Sequence, residues 1–290
     1  MPSLKDLRSR IQSVKNTQQI TKTMKLVAAA KVRRARARCE DAQPYAEKMR
    51  GVLTSLAINV GENGHVFLSG KENVNVVRLV VVGSDRGLCG GFNANLCKRV
   101  IAHIKTLQAE GKTVQILCVG RKIRDVLKID YRHLIIDTLE GIEKTVNFDM
   151  ASGVAQTLIN DFEAESCDEV VLFYNRFVNM VTQDPSMMSL IPFKVKVLAD
   201  KEPVVATAVE YEPEEEEILD RLLPLNISIQ LLQGMLESGA AEQAARMTSM
   251  ENATKNAGEM IGKLSLQYNR SRQAAITTEL SEIVAGAEAV

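Results

Sequence analysis

The sequence predicts an α/β protein: a long antiparallel coiled coil of N- and C-terminal helices plus a Rossmann-like, doubly wound α/β domain. Three observations carry this expectation. The first fifty residues repeat apolar side chains at three-four spacing, the last seventy do the same, and β-branched runs alternate with helix-length segments between them.

At the N-terminus Leu4, Leu7, Ile11 and Val14 step by three, four and three, and the stripe is read onward through Ile20, Met24, Val27, Ala28, Ala35 and Ala42 to Met49 and Leu53. No Gly interrupts residues 1–50, and after Pro2 the one Pro is Pro44, where a kink or break is expected. Some fifty helical residues would run ~80 Å, well beyond a small domain. The stretch Gly61–Asn75 reads as a surface connection. Val76–Val82 (VVRLVVV) then has the composition of a strand buried on both faces of a parallel sheet. A helix from about Phe92 to Glu110, a strand Val114–Val119, a helix Asn147–Glu165 and a strand Glu169–Tyr174 follow, an order that implies right-handed crossovers. Asn179–Pro192 has no clear pattern. From about Glu214 the helical signal returns, with Pro224 at a kink or first turn. Met250, Ala253, Ala257, Met260 and Leu264 form a seam that resumes as Ile276, Leu280, Ile283 and Ala287 after a twelve-residue gap, which implies local straightening. The expected domains are thus a helix over 1–58, an α/β foot over 74–209 and a helix over 212–290. Each terminal helix alone would leave its stripe in water, so mutual antiparallel packing is the simplest solution.

Composition narrows the function classes. Of 290 residues, 46% are hydrophobic and 25% charged, which excludes wholesale disorder. No stretch approaches the ~18 unbroken apolar residues of a membrane span. The N-terminus lacks the apolar core of a secretory signal, and its basic pattern runs on without a cleavage-like break. Net charge is zero but uneven: residues 1–50 hold thirteen Lys/Arg against four acids, whereas Glu210, Glu212 and Glu214–Glu217 form an acidic knot. The five cysteines form no CxxC pair and meet only three histidines, so reduced thiols are expected, with no metal site.

No catalytic constellation emerges, and no cofactor is expected. His65, His103 and His133 stand in unrelated contexts, and the carboxylate pairs fall in acidic runs. The loop Gly83-Ser-Asp-Arg-Gly-Leu-Cys-Gly-Gly-Phe-Asn93 lies between strand and helix, where phosphates bind in other folds. However, Asp85 and Leu88 occupy positions that the dinucleotide fingerprint reserves for Gly, and no GK[ST] follows. A tight turn serving packing or subunit contact is the better reading. The run Lys22–Arg38 holds seven basic residues and no acid, yet stacking aromatics are absent, so a protein-facing basic face is preferred to nucleic-acid binding. Arg272, Gln273, Thr277 and Thr278 form a polar interruption beside the seam gap.

Five segments in order resemble the γ subunits of bacterial and mitochondrial F-type ATP synthases. They are Ile11–Lys31 (IQSVKNTQQITKTMKLVAAAK), Asp85–Asn93 (DRGLCGGFN), Ser238–Met247 (SGAAEQAARM), Tyr268–Ala275 (YNRSRQAA), and the C-terminal pattern Ile276-Thr277, Glu279, Glu282, Gly286-Ala287 and Ala289. The resemblance implies a non-catalytic rotor shaft, one copy per complex, set in a ring of three α and three β subunits. Its foot would meet the ε subunit and the membrane c-ring. Carried over by motif, Arg272, Gln273 and Thr277 would meet a β-subunit loop, and Met24 and Lys25 the acidic lever region of β. Asp85 and Arg86, with Tyr211 and Glu212, would lie at the foot. The resemblance also implies a peripheral protein on the cytoplasmic face of a bacterial inner membrane, touching lipid only through the complex and binding no nucleic acid. No regulatory cysteine insertion is evident, and an initial Met without presequence favours a bacterial chain. The rival expectation is a nucleotide-dependent α/β enzyme dimerising through its terminal helices. A coiled-coil nucleic-acid binder is a third.

Overall fold

The computed structural model describes residues 3–60, 65–141, 146–193 and 215–288. Its elements are α1 (Leu4–Val60), α2 (Val66–Ser69), β1 (Val76–Val82), α3 (Phe92–Ala109), β2 (Thr113–Val119), α4 (Arg121–Tyr131), β3 (Ile135–Leu139), α5 (Phe148–Glu163), β4 (Glu169–Phe177), β5 (Gln183–Ile191) and α6 (Glu215–Glu288). Two compact units result: residues 1–29 with 246–290, and residues 30–245.

The larger unit holds one five-stranded sheet in the order β3-β2-β1-β4-β5. The first four strands are parallel, and β5 runs antiparallel along β4. Alternation along β1 feeds two cores. Val77, Leu79 and Val81 face α3 and α4, whereas Val80 and Val82 face α5 and α6. Both faces are therefore covered, as the run VVRLVVV requires. The second core takes Leu53 and Leu56 from α1 and Leu219, Leu223 and Ile227 from α6, packed with Phe162 of α5. Each such side chain contributes roughly 1.5–3 kcal/mol on burial. Arg78 is the polar exception on β1: it is 5% exposed, donates to Gln115 Oε1 at 2.7 and 3.1 Å, and pairs with Asp161 of α5. A buried guanidinium needs such partners.

In the smaller unit the two helical segments run antiparallel. Lys25 Nζ lies 2.6 Å from Glu251, Thr21 faces Thr254 at 2.8 Å, and Gln18 approaches Gly258, so rising numbers on α1 meet falling numbers on α6. Burial along α1 here recurs at Leu4, Leu7, Ile11, Val14, Gln18, Thr21, Lys25 and Ala28, a strict heptad. The expected stripe is corrected at Ile20 and Val27, which are exposed, 59% and 52%. Polar Gln18 and Thr21 take the seam positions instead, and a search for apolar residues passes over them. On α6 the seam runs Met250, Thr254, Ala257, Ile261, Leu264, Tyr268, Ser271 and Ala275 without a gap. The expected break after Leu264 is absent, Met260 points outward, and Ile276, Leu280, Ile283 and Ala287 are exposed. The reason is geometric: α1 starts at Leu4, so among the described residues its antiparallel run reaches no further along α6 than about Ala275.

Other departures are local. Neither Pro44 nor Pro224 breaks its helix. The carbonyls that lose an N–H partner belong to exposed Glu40 and Asp220, on the solvent side of each helix. Within 61–75 stands α2, which inserts Phe67 (5% exposed) beside Phe162. The helix α4 and strands β3 and β5 had no sequence counterpart. The partly exposed edges β3 and β5 mix polar and apolar residues on a half-wet surface, so continuous β-branched runs are absent there.

Candidate functional site

In an open α/β sheet, ligands bind at the carboxyl ends of strands where the winding reverses. Here that place lies beside β1 and β4, and the loop after β1 is built tightly around it. Gly83 has no room for a side chain: a Cβ would stand 2.3 Å from that of Ile123. Asn93 closes the loop, accepting the Ser84 N–H at 3.1 Å and donating to Ser84 Oγ at 2.7 Å. Ser84 Oγ in turn donates to Arg86 O. Leu88 (φ 64°) and Gly90 (φ 58°) carry the chain through the left-handed region, and Leu88 is left 61% exposed at the apex. Asp85 accepts the N–H of Arg121, the first residue of α4, at 3.1 Å, a favourable carboxylate at a helix N-terminus.

The crevice itself is filled by the chain. Ser238 of α6 donates its hydroxyl to Val82 O at 3.1 Å, buried, and Ala241 and Ala245 pack on Cys89 and Phe92. Gly234 lets α6 come close to the sheet: a Cβ there would lie 2.7 Å from Leu172 Cδ2. What remains is a cleft of about 220 Å³ bordered by Arg34, Arg38, Gly83, Asp85, Ser238 and Glu242. The tight-turn expectation for this loop therefore has a mechanism. The loop caps α4, and α6 packs on the place a nucleotide takes in doubly wound enzymes.

Within the same unit Glu237 of α6 is half-buried. One oxygen accepts from Gln233 Nε2 at 3.1 Å, and the other is buried with no hydrogen-bond partner among the described residues. Burial raises its pKa, against the lowering effects of the Gln233 bond and of Arg176 and Arg50. Its charge also reaches Cys39 and Tyr174, each pushed up to about 12, first of all by burial. Nothing in the sequence marked Glu237, which sits in an ordinary helical context. Asp168 shows the opposite outcome. Burial alone would raise it, but the N–H groups of Asn75 and Val76 and the Lys71 ammonium hold it below the usual carboxylate range.

In the smaller unit Met24 and Lys25 are half-buried, Lys25 drawn to Glu251. Arg272, Gln273 and Thr277 share an exposed stretch of α6, Thr277 Oγ1 donating to Gln273 O at 2.9 Å. Arg86 is exposed and Asp85 half-buried in the loop of the larger unit. Tyr211 and Glu212 lie outside the described residues. The site residues named from the sequence thus fall in separate places, and no group of three or more potential metal ligands occurs among the described residues. No helix of the described residues is long and apolar enough to cross a membrane.

This arrangement defines a class by its fold: a doubly wound α/β domain whose sheet crevice is occupied by its own C-terminal helix. Residues 3–290 match the ATP synthase family. The ATP synthase gamma chains of Ruegeria sp. and Methylobacterium sp. are 50% and 48% identical, each aligned over 100% of both chains. Among solved structures, a chain from the central stalk and c-ring of Tetrahymena thermophila mitochondrial ATP synthase is similar at 27% identity and TM-score 0.59, covering 81% of this chain and 99% of that one. A rotor chain of Euglena gracilis mitochondrial ATP synthase shares the fold at 20% identity and TM-score 0.68, over 94% and 98%. The chain belongs to the γ-chain family of ATP synthases, a non-catalytic subunit of that complex.

Proposed function

We propose that this chain is the central rotor shaft of an F-type proton-translocating ATP synthase, coupling c-ring rotation to conformational cycling of the catalytic β subunits. The observation that carries the reading is the bare end of α6. Its seam ends at Ala275, yet the helix continues to Glu288 with Ile276 (47%), Leu280 (57%), Ile283 (68%) and Val284 (55%) exposed. Large apolar side chains left in water on one helix end call for a partner surface. In this reading that surface is a sleeve formed by three α and three β subunits around one copy of the chain. Arg272, Gln273 and Thr277 meet a β loop, while Met24 and Lys25 face the acidic lever of β. Residues 1–58 and 212–290 form the shaft and 74–209 the foot, where Asp85, Arg86, Tyr211 and Glu212 approach ε and the c-ring. The protein then sits at the cytoplasmic face of the inner membrane and touches lipid only through the complex. A shaft with unequal faces gives each β subunit different contacts, so three identical sites occupy different states by differential binding.

The test is co-expression with α and β subunits, full length and with 276–290 deleted. The full chain assembles into one sized complex. The truncated chain, still folded by circular dichroism, assembles weakly or hydrolyses ATP without pumping protons. Unchanged assembly and coupling of the truncated chain would remove the tip contacts from the proposal.

A further inference from the structure

The helix pair of the smaller unit has a largely apolar seam interrupted by a hydrogen-bonded polar level. Leu7, Ile11 and Val14 precede that level on α1 and Ala28 follows it, but the level itself is Gln18 and Thr21, opposite Thr254 and Gly258. Thr21, 8% exposed, and Thr254 place their hydroxyls 2.8 Å apart across the seam. Each also has an acceptor on its own helix: Thr21 reaches Gln18 O at 3.0 Å and Thr254 reaches Met250 O at 2.7 Å. Whichever hydroxyl donates across the seam, the other returns its proton to its own backbone, so both are satisfied together. Gln18 Nε2 points to Thr254 O at 3.5 Å, and it fits because position 258 is Gly: a Cβ there would stand 3.0 Å from that nitrogen. One turn further, Lys25 Nζ meets Glu251 at 2.6 Å.

Apolar knobs repeated every seven residues are interchangeable: a slide by one heptad buries similar surface again. The polar level is not interchangeable. In a slid pair Thr21 would face Ile261, and the cross-seam bond and the space for Gln18 would both be lost. We propose that Gln18, Thr21, Thr254 and Gly258 form the axial lock of the terminal helix pair. They select the one register in which Lys25 meets Glu251 and Met24 is presented beside it. These are positioning residues. A polar seam level trades stability for uniqueness, so the lock weakens the pair while defining it. The inference rests on the helix pair alone and holds whatever partners surround it.

The experiment uses the full chain with spin labels on Ser9→Cys and Gln267→Cys, both exposed, and Cys39 replaced by Ala, since the other native cysteines are buried. With the native level, pulsed electron resonance should give one narrow distance. In Gln18→Leu/Thr21→Val/Thr254→Val the peak should broaden or gain a second, longer component, because a slide by one heptad offsets the two labels by roughly 10 Å along the helix axis, with a melting temperature no lower than the parent's. Thr21→Val alone, the guard against a triple variant that fails to fold, must broaden the distribution as well, whereas Thr21→Ser must keep it narrow. A single unchanged peak in the folded Val variants overturns the lock, and so does broadening by Thr21→Ser equal to that by Thr21→Val.

Discussion

Two stretches of the same helix, α6, meet opposite environments. Between Asn226 and Ala245 it is buried on nearly every side: residues 226–231 are all buried, and so are 240–245. Between Ile276 and Ala287 every described side chain is exposed. Large apolar residues do not separate the two. The buried stretch carries Ile227, Ile229, Leu231 and Met235 beside small residues such as Gly234, Ser238, Ala240 and Ala244, and the exposed stretch carries Ile, Leu and Val as well. Small residues let the sheet, the loop after β1 and α1 all approach one helix, so burial there follows from close backbone contact. Large apolar residues at the far end find nothing to cover them among the described residues. The difference teaches that hydrophobicity marks where a surface is wanted, whereas neighbours decide whether it is already covered.

Four substitutions break or sharpen that contrast. Leu231→Ala, in the buried stretch and fully inaccessible, should cost about 2–5 kcal/mol in denaturant unfolding. Gly234→Ala sets two effects against each other. Helix propensity favours Ala by about 1 kcal/mol, but its Cβ, 2.7 Å from the buried Leu172, overpacks the core at about 1–3 kcal/mol. A net loss is expected, and a gain in melting temperature would mean that Leu172 yields freely.

Glu237→Gln tests the polar side of the same stretch through pH. Burial raises the folded-state pKa of Glu237 above its unfolded value. Its contribution is therefore fully present below the ordinary glutamate range and is lost as pH rises through the raised folded value. The Gln variant should lack this loss and be more stable than the parent near neutrality, as unfolding midpoints measured between about pH 4 and pH 8 would report. Parallel pH profiles for the two proteins would contradict the assignment. Smallest is Ile283→Ala: 68% exposed, it should change the stability of the isolated chain by less than about 0.5 kcal/mol. Its effect should appear only as weaker assembly with α and β subunits.

Much of the fold was legible beforehand because it depends on short-range pattern. VVRLVVV announces a doubly buried strand, and the bounds of β1, β2, β4, α3 and α5 follow the apolar runs within a few residues. The edge elements were not legible, since β3 and β5 pair on one side only and are half-wetted. The seams were legible as seams but misplaced at Ile20, Val27, Met260 and beyond Leu264. An apolar search drifts to the nearest hydrophobe where the true position holds Gln18, Thr21 or Ser271. Of the candidate contact residues, sequence supplied identities through resemblance, and the structure adds partners for Lys25, Asp85 and Thr277.

By itself the sequence determined the two long helices, the parallel core strands and the glycine-rich turn, because helical and extended periods and left-handed turns are decided within a few neighbouring residues. Only the tertiary structure decided that α6 packs over the crevice at the sheet's carboxyl edge, that Glu237 is half-buried with one oxygen unpartnered among the described residues, and that polar residues sit in the seam. Those outcomes depend on groups some two hundred residues apart along the chain, such as Gln18 and Gly258, whose meeting no local pattern encodes.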